Sequence, residues 1–210
     1  MSNLLHIISI VLSLLSIVIS ILVYFGIIRY IHLYFSKTVD KYTEKYTDLP
    51  MASENKTIIV LSIDSEEDLK NIFPTVNSIL DQTVRVNQIF LVVPCSSTFE
   101  IPENLLKVIS VVKPGKVYDD KYQDIISILE REKEKNTIII RISKGIIYGK
   151  EFIENIIEIS ESNPDSVIND ESNLFLVLKP SFIKFDESSK NVNFICDIKN
   201  MYQRENYKII

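Results

Sequence analysis

Residues 137–152, TIIIRISKGIIYGKEF, run from an apolar, β-branched segment through a turn into helix-forming residues. A strand that feeds a helix presents its last residues at a sheet edge. Carboxylates there would grip a hard cation, and an ammonium group would meet an anion. The turn holds Ser143, Lys144 and Gly145, so it offers a positive charge and no carboxylate. Lys144 has two readings, a counter-charge for an anionic ligand or an ordinary solvated turn lysine. Asp64 follows TIIVLSI in the same relation. It either contacts a ligand or caps the helix that Glu66 and Glu67 begin. Cys95 ends another such run, and a buried structural thiol is the expectation for it.

Other chemistries are excluded by composition. The two histidines, His6 and His32, lie within and just after the first apolar segment. The remainder therefore has no Ser-His-Asp or Cys-His machinery and no histidine-ligated metal. Cys95 and Cys196 have no metal-type or redox-type spacing, so free thiols are the default expectation and a single bridge between them is the alternative. A net charge of −5, spread along the chain, gives no basic footprint for nucleic acid.

The elements that position these residues alternate. Runs at 57–63, 88–93, 108–112, 137–142 and 174–178 are short and apolar, and helix-periodic stretches separate them. Unbroken apolar strands between helices predict an α/β fold, with a mostly parallel sheet covered by helices on both faces. Ligands of such sheets sit beyond the carboxyl ends of the strands, where Asp64, Cys95 and residues 143–145 fall.

Ahead of this domain, residues 4–28 contain no ionisable group except His6. At 1.5 Å per residue the run is long enough for a hydrocarbon core of about 30 Å, and it predicts a single uncleaved transmembrane helix. The expected organisation is an anchor over 1–34, a polar stalk over 35–54 and the α/β domain over 55–210. Tyr24, Tyr30 and Tyr34 suit an interfacial aromatic belt. Arg29, Lys37, Lys41 and Lys45 follow the span, which favours a cytoplasmic C-terminal part. Asn55-Lys56-Thr57 is a glycosylation acceptor that a lumenal domain would expose to glycosylation.

Two longer stretches carry a resemblance. Residues 75–94 (TVNSILDQTVRVNQIFLVVP) and 129–156 (LEREKEKNTIIIRISKGIIYGKEFIENI) are the most specific, with NPDSVI at 163–168 and FLVLKPSFI at 175–183 in the same order. They resemble the family-2-like glycosyltransferases with the A-type nucleotide-sugar fold, especially a short variety common in large DNA viruses. That resemblance spans about residues 57–206. It implies a nucleotide-sugar donor, a glycan or protein acceptor, and a divalent cation held by a DDD triplet at the fourth strand. Aligned residue by residue, the triplet falls on Ser143, Lys144 and Gly145, so a bound Mg²⁺ or Mn²⁺ is not expected. KVYDDKYQDII at 116–126 replaces the family's GP–TK element and loses its glycine and lysine. Lys144, with Lys116 or Lys121, would then be left to neutralise the diphosphate. CDIKNMY at 196–202 is similar to the family's late DDI element. By that match Asp197 is the general base, and by the plain reading it is a helix N-cap. The resemblance thus implies a transferase that is inactive or metal-independent, or else a non-catalytic binding domain that keeps the fold.

Overall fold

The computed structural model describes residues 2–24, 26–115, 123–164, 167–169, 174–186 and 191–194. Six strands form one mixed sheet: β1 (Thr57–Ser62), β2 (Gln88–Val92), β3 (Ser110–Val112), β4 (Ile138–Ile142), β5 (Ile168–Asn169) and β6 (Phe175–Leu178). Their spatial order is β3-β2-β1-β4-β6-β5. Strands β3, β2, β1 and β4 are parallel, while β6 runs antiparallel to both β4 and β5. A separate antiparallel pair joins β7 (Ile183–Asp186) to β8 (Asn191–Phe194). The expected α/β class with a mostly parallel sheet is therefore what the chain forms.

Side chains alternate across this sheet as the pleat requires. Ile59, Leu61, Ile89, Leu91, Ile138, Ile140 and Val177 enter the larger core. That core is covered by α4 (Glu66–Asn71), α5 (Phe73–Leu80), α6 (Glu103–Leu106) and α8 (Phe152–Ser162). Ile58, Val60, Val92, Ile139 and Leu176 enter the smaller one, under α7 (Gln123–Leu129). Both faces are buried, which is why the strands read as continuous apolar runs rather than alternating ones. Pro74 sits in the first turn of α5, where its missing N–H costs no helical hydrogen bond.

The N-terminal region departs from the expected outline. Helix α1 (Ser2–Tyr24) includes an apolar stretch, Leu5–Tyr24, that is long enough to cross a membrane and has no buried residue. Gly26, at φ 69°, breaks the helix with a left-handed residue that glycine adopts without strain. Helices α2 (Ile27–Phe35) and α3 (Asp40–Thr47) follow. Residues 35–54 do not stand apart as a stalk. Leu33, Val39 and Tyr42 join the larger core, and Asn77 Nδ2 donates to the Ser36 carbonyl. The Val86 N–H donates to the Tyr46 hydroxyl, and burial pushes that phenol up to about 12. Arg85 exchanges backbone hydrogen bonds with Pro50 and Ala52. Burying these apolar groups outweighs the polarity of the residues between them.

Candidate functional site

Strands β1, β2 and β4 end together, and a cleft of about 280 Å³ opens beside them. Ile63, Asp64, Val93, Pro94, Pro114 and Arg141 are among its lining. The volume lies just under the ~300–1,000 Å³ of common small-molecule sites, and the position is where open α/β sheets bind ligands.

Lys144 does not project into water as a solvated turn residue. Its Nζ donates to Asp64 Oδ2 at 2.9 Å and to Asp68 Oδ2 at 2.6 Å. Burial would lower the ammonium's pKa, but the hydrogen bonds to Asp68 and then Asp64 outweigh it, and the net direction is up. The same hydrogen bond from Lys144 is the main reason the Asp68 carboxyl is held below the usual carboxylate range. Two carboxylates against one ammonium leave this cluster with one net negative charge.

Asp64 is not the helix cap. Ser65 caps α4 by accepting from the Asp68 N–H, and the Asp68 carboxylate accepts from the N–H groups of Asp64 and Ser65. That capping box fixes Asp68 within reach of Lys144. Asp64 is left exposed, shared between the cleft and the ammonium.

The loop carrying Lys144 is held from behind. Ser143 N–H donates to the Leu174 carbonyl at 2.8 Å and to the Tyr148 hydroxyl at 3.0 Å, and that hydroxyl donates to Leu174 O. Buried Gln82 donates to the carbonyls of Ser78 and Gly149 and accepts from the Ile153 N–H. Gly145 has φ 77°, a left-handed turn position that disfavours any L side chain, aspartate included.

A second ion pair lines the cleft. Arg141 Nε donates to Asp124 Oδ2 at 2.5 Å, and the Asp124 side chain is only 5 % exposed. The arginine interrupts the apolar strand IIIRI at the face shared with Val60 and Ile139. A charged side chain there needs a buried partner, and α7 supplies it.

A divalent cation does not fit this arrangement. Its expected ligand positions hold a hydroxyl, an ammonium and no side chain, and the nearby carboxylates already bind the ammonium. A dication beside Lys144 would meet like charge, and hard cations take oxygen rather than amine ligands. Of the other expected site residues, Lys116, Lys121 and Asp197 lie outside the described residues. Cys95 is exposed, not buried, and its thiol donates to the Pro114 carbonyl beside the cleft. Asp68, Arg141 and Tyr148 were not legible as site residues, whereas Asp124 fell in the element that replaces the family's GP–TK stretch. The one available signal was an arginine inside an otherwise apolar strand.

No protein-family model matches the chain, and no curated protein matches it. Among solved structures, it is similar to a mannosyltransferase from Pyrobaculum calidifontis in complex with GDP-Man and Mn²⁺. The identity is 11 %, the TM-score is 0.45, and the match covers 72 % of this chain and 55 % of that one. Two structures of S. aureus TarS are also similar. One spans residues 1–349, at 13 % identity and TM-score 0.40, covering 55 % of this chain and 35 % of that one. The other has 10 % identity and TM-score 0.39, covering 55 % and 21 %. The chain thus spans about half the length of the mannosyltransferase.

Proposed function

We propose that the chain is a membrane-anchored, glycosyltransferase-like protein whose donor cleft works without a divalent cation. The observation that carries this is the ammonium of Lys144, seated 2.9 and 2.6 Å from Asp64 and Asp68 at the end of β4. A positive charge is already built in where the resemblance calls for a metal. The cleft beside β1 and β4 has room for the nucleoside end of a nucleotide-sugar, with Asp64 and Arg141 as its polar groups. In this reading α1 anchors the chain in a membrane, with the domain on the cytoplasmic side. The role of Asp197 as base, and of Lys116 and Lys121 beside the diphosphate, rests on the resemblance alone. The acceptor would be a glycan or protein, and nucleic acid is not a partner.

A second reading, a non-catalytic binding domain, is favoured by charge. Lys144 and Arg141 are both neutralised by carboxylates, so neither is at liberty to balance a diphosphate. Calorimetry of the full chain with uridine and guanosine diphosphate-sugars, with and without Mn²⁺, tests both. The proposal expects binding that is indifferent to Mn²⁺ and is lost in Lys144→Ala. Mn²⁺-dependent binding would overturn it, and no binding in either condition would leave the domain without a donor.

A further inference from the structure

Helix α2 divides its circumference unequally. Leu33, 1 % exposed, and Arg29, one turn earlier, face the α/β domain. Arg29 Nε donates to Asp81 at 2.8 Å, and its Nη1 donates to the Tyr148 carbonyl at 3.1 Å. The rest of the helix is uncovered and, apart from His32, apolar. Ile27, Ile28, Tyr30, Ile31, Tyr34 and Phe35 are each between 36 % and 72 % exposed. Six large apolar side chains in a nine-residue helix form a contiguous patch, unlike the scattered apolar groups of an ordinary surface.

From this we infer that α2 is a membrane-surface helix, with one side holding the domain and the other lying on lipid. The inference rests on the reading of α1 as a membrane span. Only residues 25 and 26 separate that span from α2, and left-handed Gly26 supplies the bend. Length decides between an upright and a flat helix. At 1.5 Å per residue α2 is about 13 Å long, whereas each headgroup layer is only about 5–8 Å thick. An upright α2 would lift Tyr34 and Phe35 past the headgroups into water; a flat one keeps them at the interface. Tyr30 and Tyr34, stacked at 6.1 Å, are of the type that settles at headgroup depth. Lys37, exposed just beyond the helix, suits anionic headgroups, while exposed Lys41 reaches back to the His32 ring. The partner is accordingly an anionic lipid surface, and the domain rests on the membrane instead of hanging from a tether.

The chain contains no tryptophan, so a single introduced indole reports one position. The full chain would be reconstituted in phosphatidylcholine–phosphatidylserine vesicles brominated either near the headgroup or near the acyl-chain end. Four single variants would be compared: Phe35→Trp, Tyr34→Trp, Leu14→Trp inside α1, and Lys133→Trp on the opposite face of the sheet. Phe35→Trp and Tyr34→Trp should each lose about half their emission to the shallow bromines and less to the deep ones, as for an interfacial helix. Leu14→Trp should be quenched most by the deep bromines, and Lys133→Trp by neither. If Leu14→Trp is quenched while Phe35→Trp and Tyr34→Trp behave like Lys133→Trp, the surface helix is wrong and the anchor stands. If Leu14→Trp also escapes quenching, the anchor fails and the inference fails with it.

Discussion

Replacing Lys144 with aspartate should turn an internal cation into a demand for an external one. Lys144→Asp removes the hydrogen bonds to Asp64 and Asp68 and places a third carboxylate beside them. Asp64 is 81 % exposed and contributes little, whereas the pair with Asp68 is more sheltered, at 34 % and 23 % exposure. Losing that pair costs about 1 kcal/mol, and the new like-charge contact adds a similar amount. A loss of about 2 kcal/mol lowers the melting temperature of a chain this size by ~4–8 °C. Mn²⁺ at ten times its dissociation constant should return about 1.4 kcal/mol, or ~3–6 °C. Thermal melts of wild type, Lys144→Asp and Lys144→Met, each with Mn²⁺ and with chelator, give the comparison. Electron paramagnetic resonance titration of free Mn²⁺ reads binding directly. Lys144→Asp should respond most, Lys144→Met less, through the two carboxylates it frees, and the wild type not at all. A wild type that binds Mn²⁺ as well as the variant, or a variant indifferent to the ion, would refute the argument that the ammonium stands in a cation's place.

Three further outcomes follow from other contacts. Arg141→Met strands the nearly buried Asp124 carboxylate and should cost about 2–3 kcal/mol in urea unfolding, below the usual buried-pair cost because Arg141 is 28 % exposed. The double variant Arg141→Met/Asp124→Leu should recover most of that loss, and failure to recover would mean the pair is not the cause. Leu33→Ala should cost about 2–3 kcal/mol, as for a core leucine. In the same variant, protease cleavage within 36–52 should speed up, and an unchanged digestion pattern would count against the packing of that segment. The stability difference between wild type and Lys144→Met should depend on pH in a defined window. The Asp68 carboxyl is depressed, so its contribution is present above the unfolded value of about 3.9 and is lost as pH falls through the lower folded value. The Lys144 ammonium is raised, so its contribution holds below about 10.4 and is lost as pH rises through the higher folded value. Urea midpoints across pH 3 to 11 would check this plateau, and a difference that varies between pH 5 and 9 would contradict it.

Strand identity was legible because both sheet faces are buried, which turns TIIVLS, QIFLV and FLVL into unbroken apolar runs. Strand direction was not. Nothing in FLVL records that it runs antiparallel to β4, since that depends on the route taken by the chain before it. The docking of 27–52 was missed for a related reason. Leu33, Val39, Tyr42 and Tyr46 are spread over two helices and the break between them, where Val39 lies, so no single helical period links them. At the site, spacing pointed to the β4 turn and to Asp64. The partner of Lys144 that matters most, Asp68, lay hidden as one acid among three at the start of α4. Its identity depends on which carboxylate the capping box turns toward the sheet.

The attachment of residues 29–52 also determines where mechanical load enters the molecule. Tension along α1 meets the Arg29–Asp81 pair and then the buried Leu33, before it can reach the Pro50–Arg85 backbone bonds or the first residue of β1. On the proposed reading of α1 as a membrane anchor, a tug from a moving or curving bilayer would be taken up at the end of α5 and the carbonyl of Tyr148, five residues from Ser143. The sheet itself is shielded. On that reading, the part of the protein that would feel the membrane first is the scaffold behind the β4 turn.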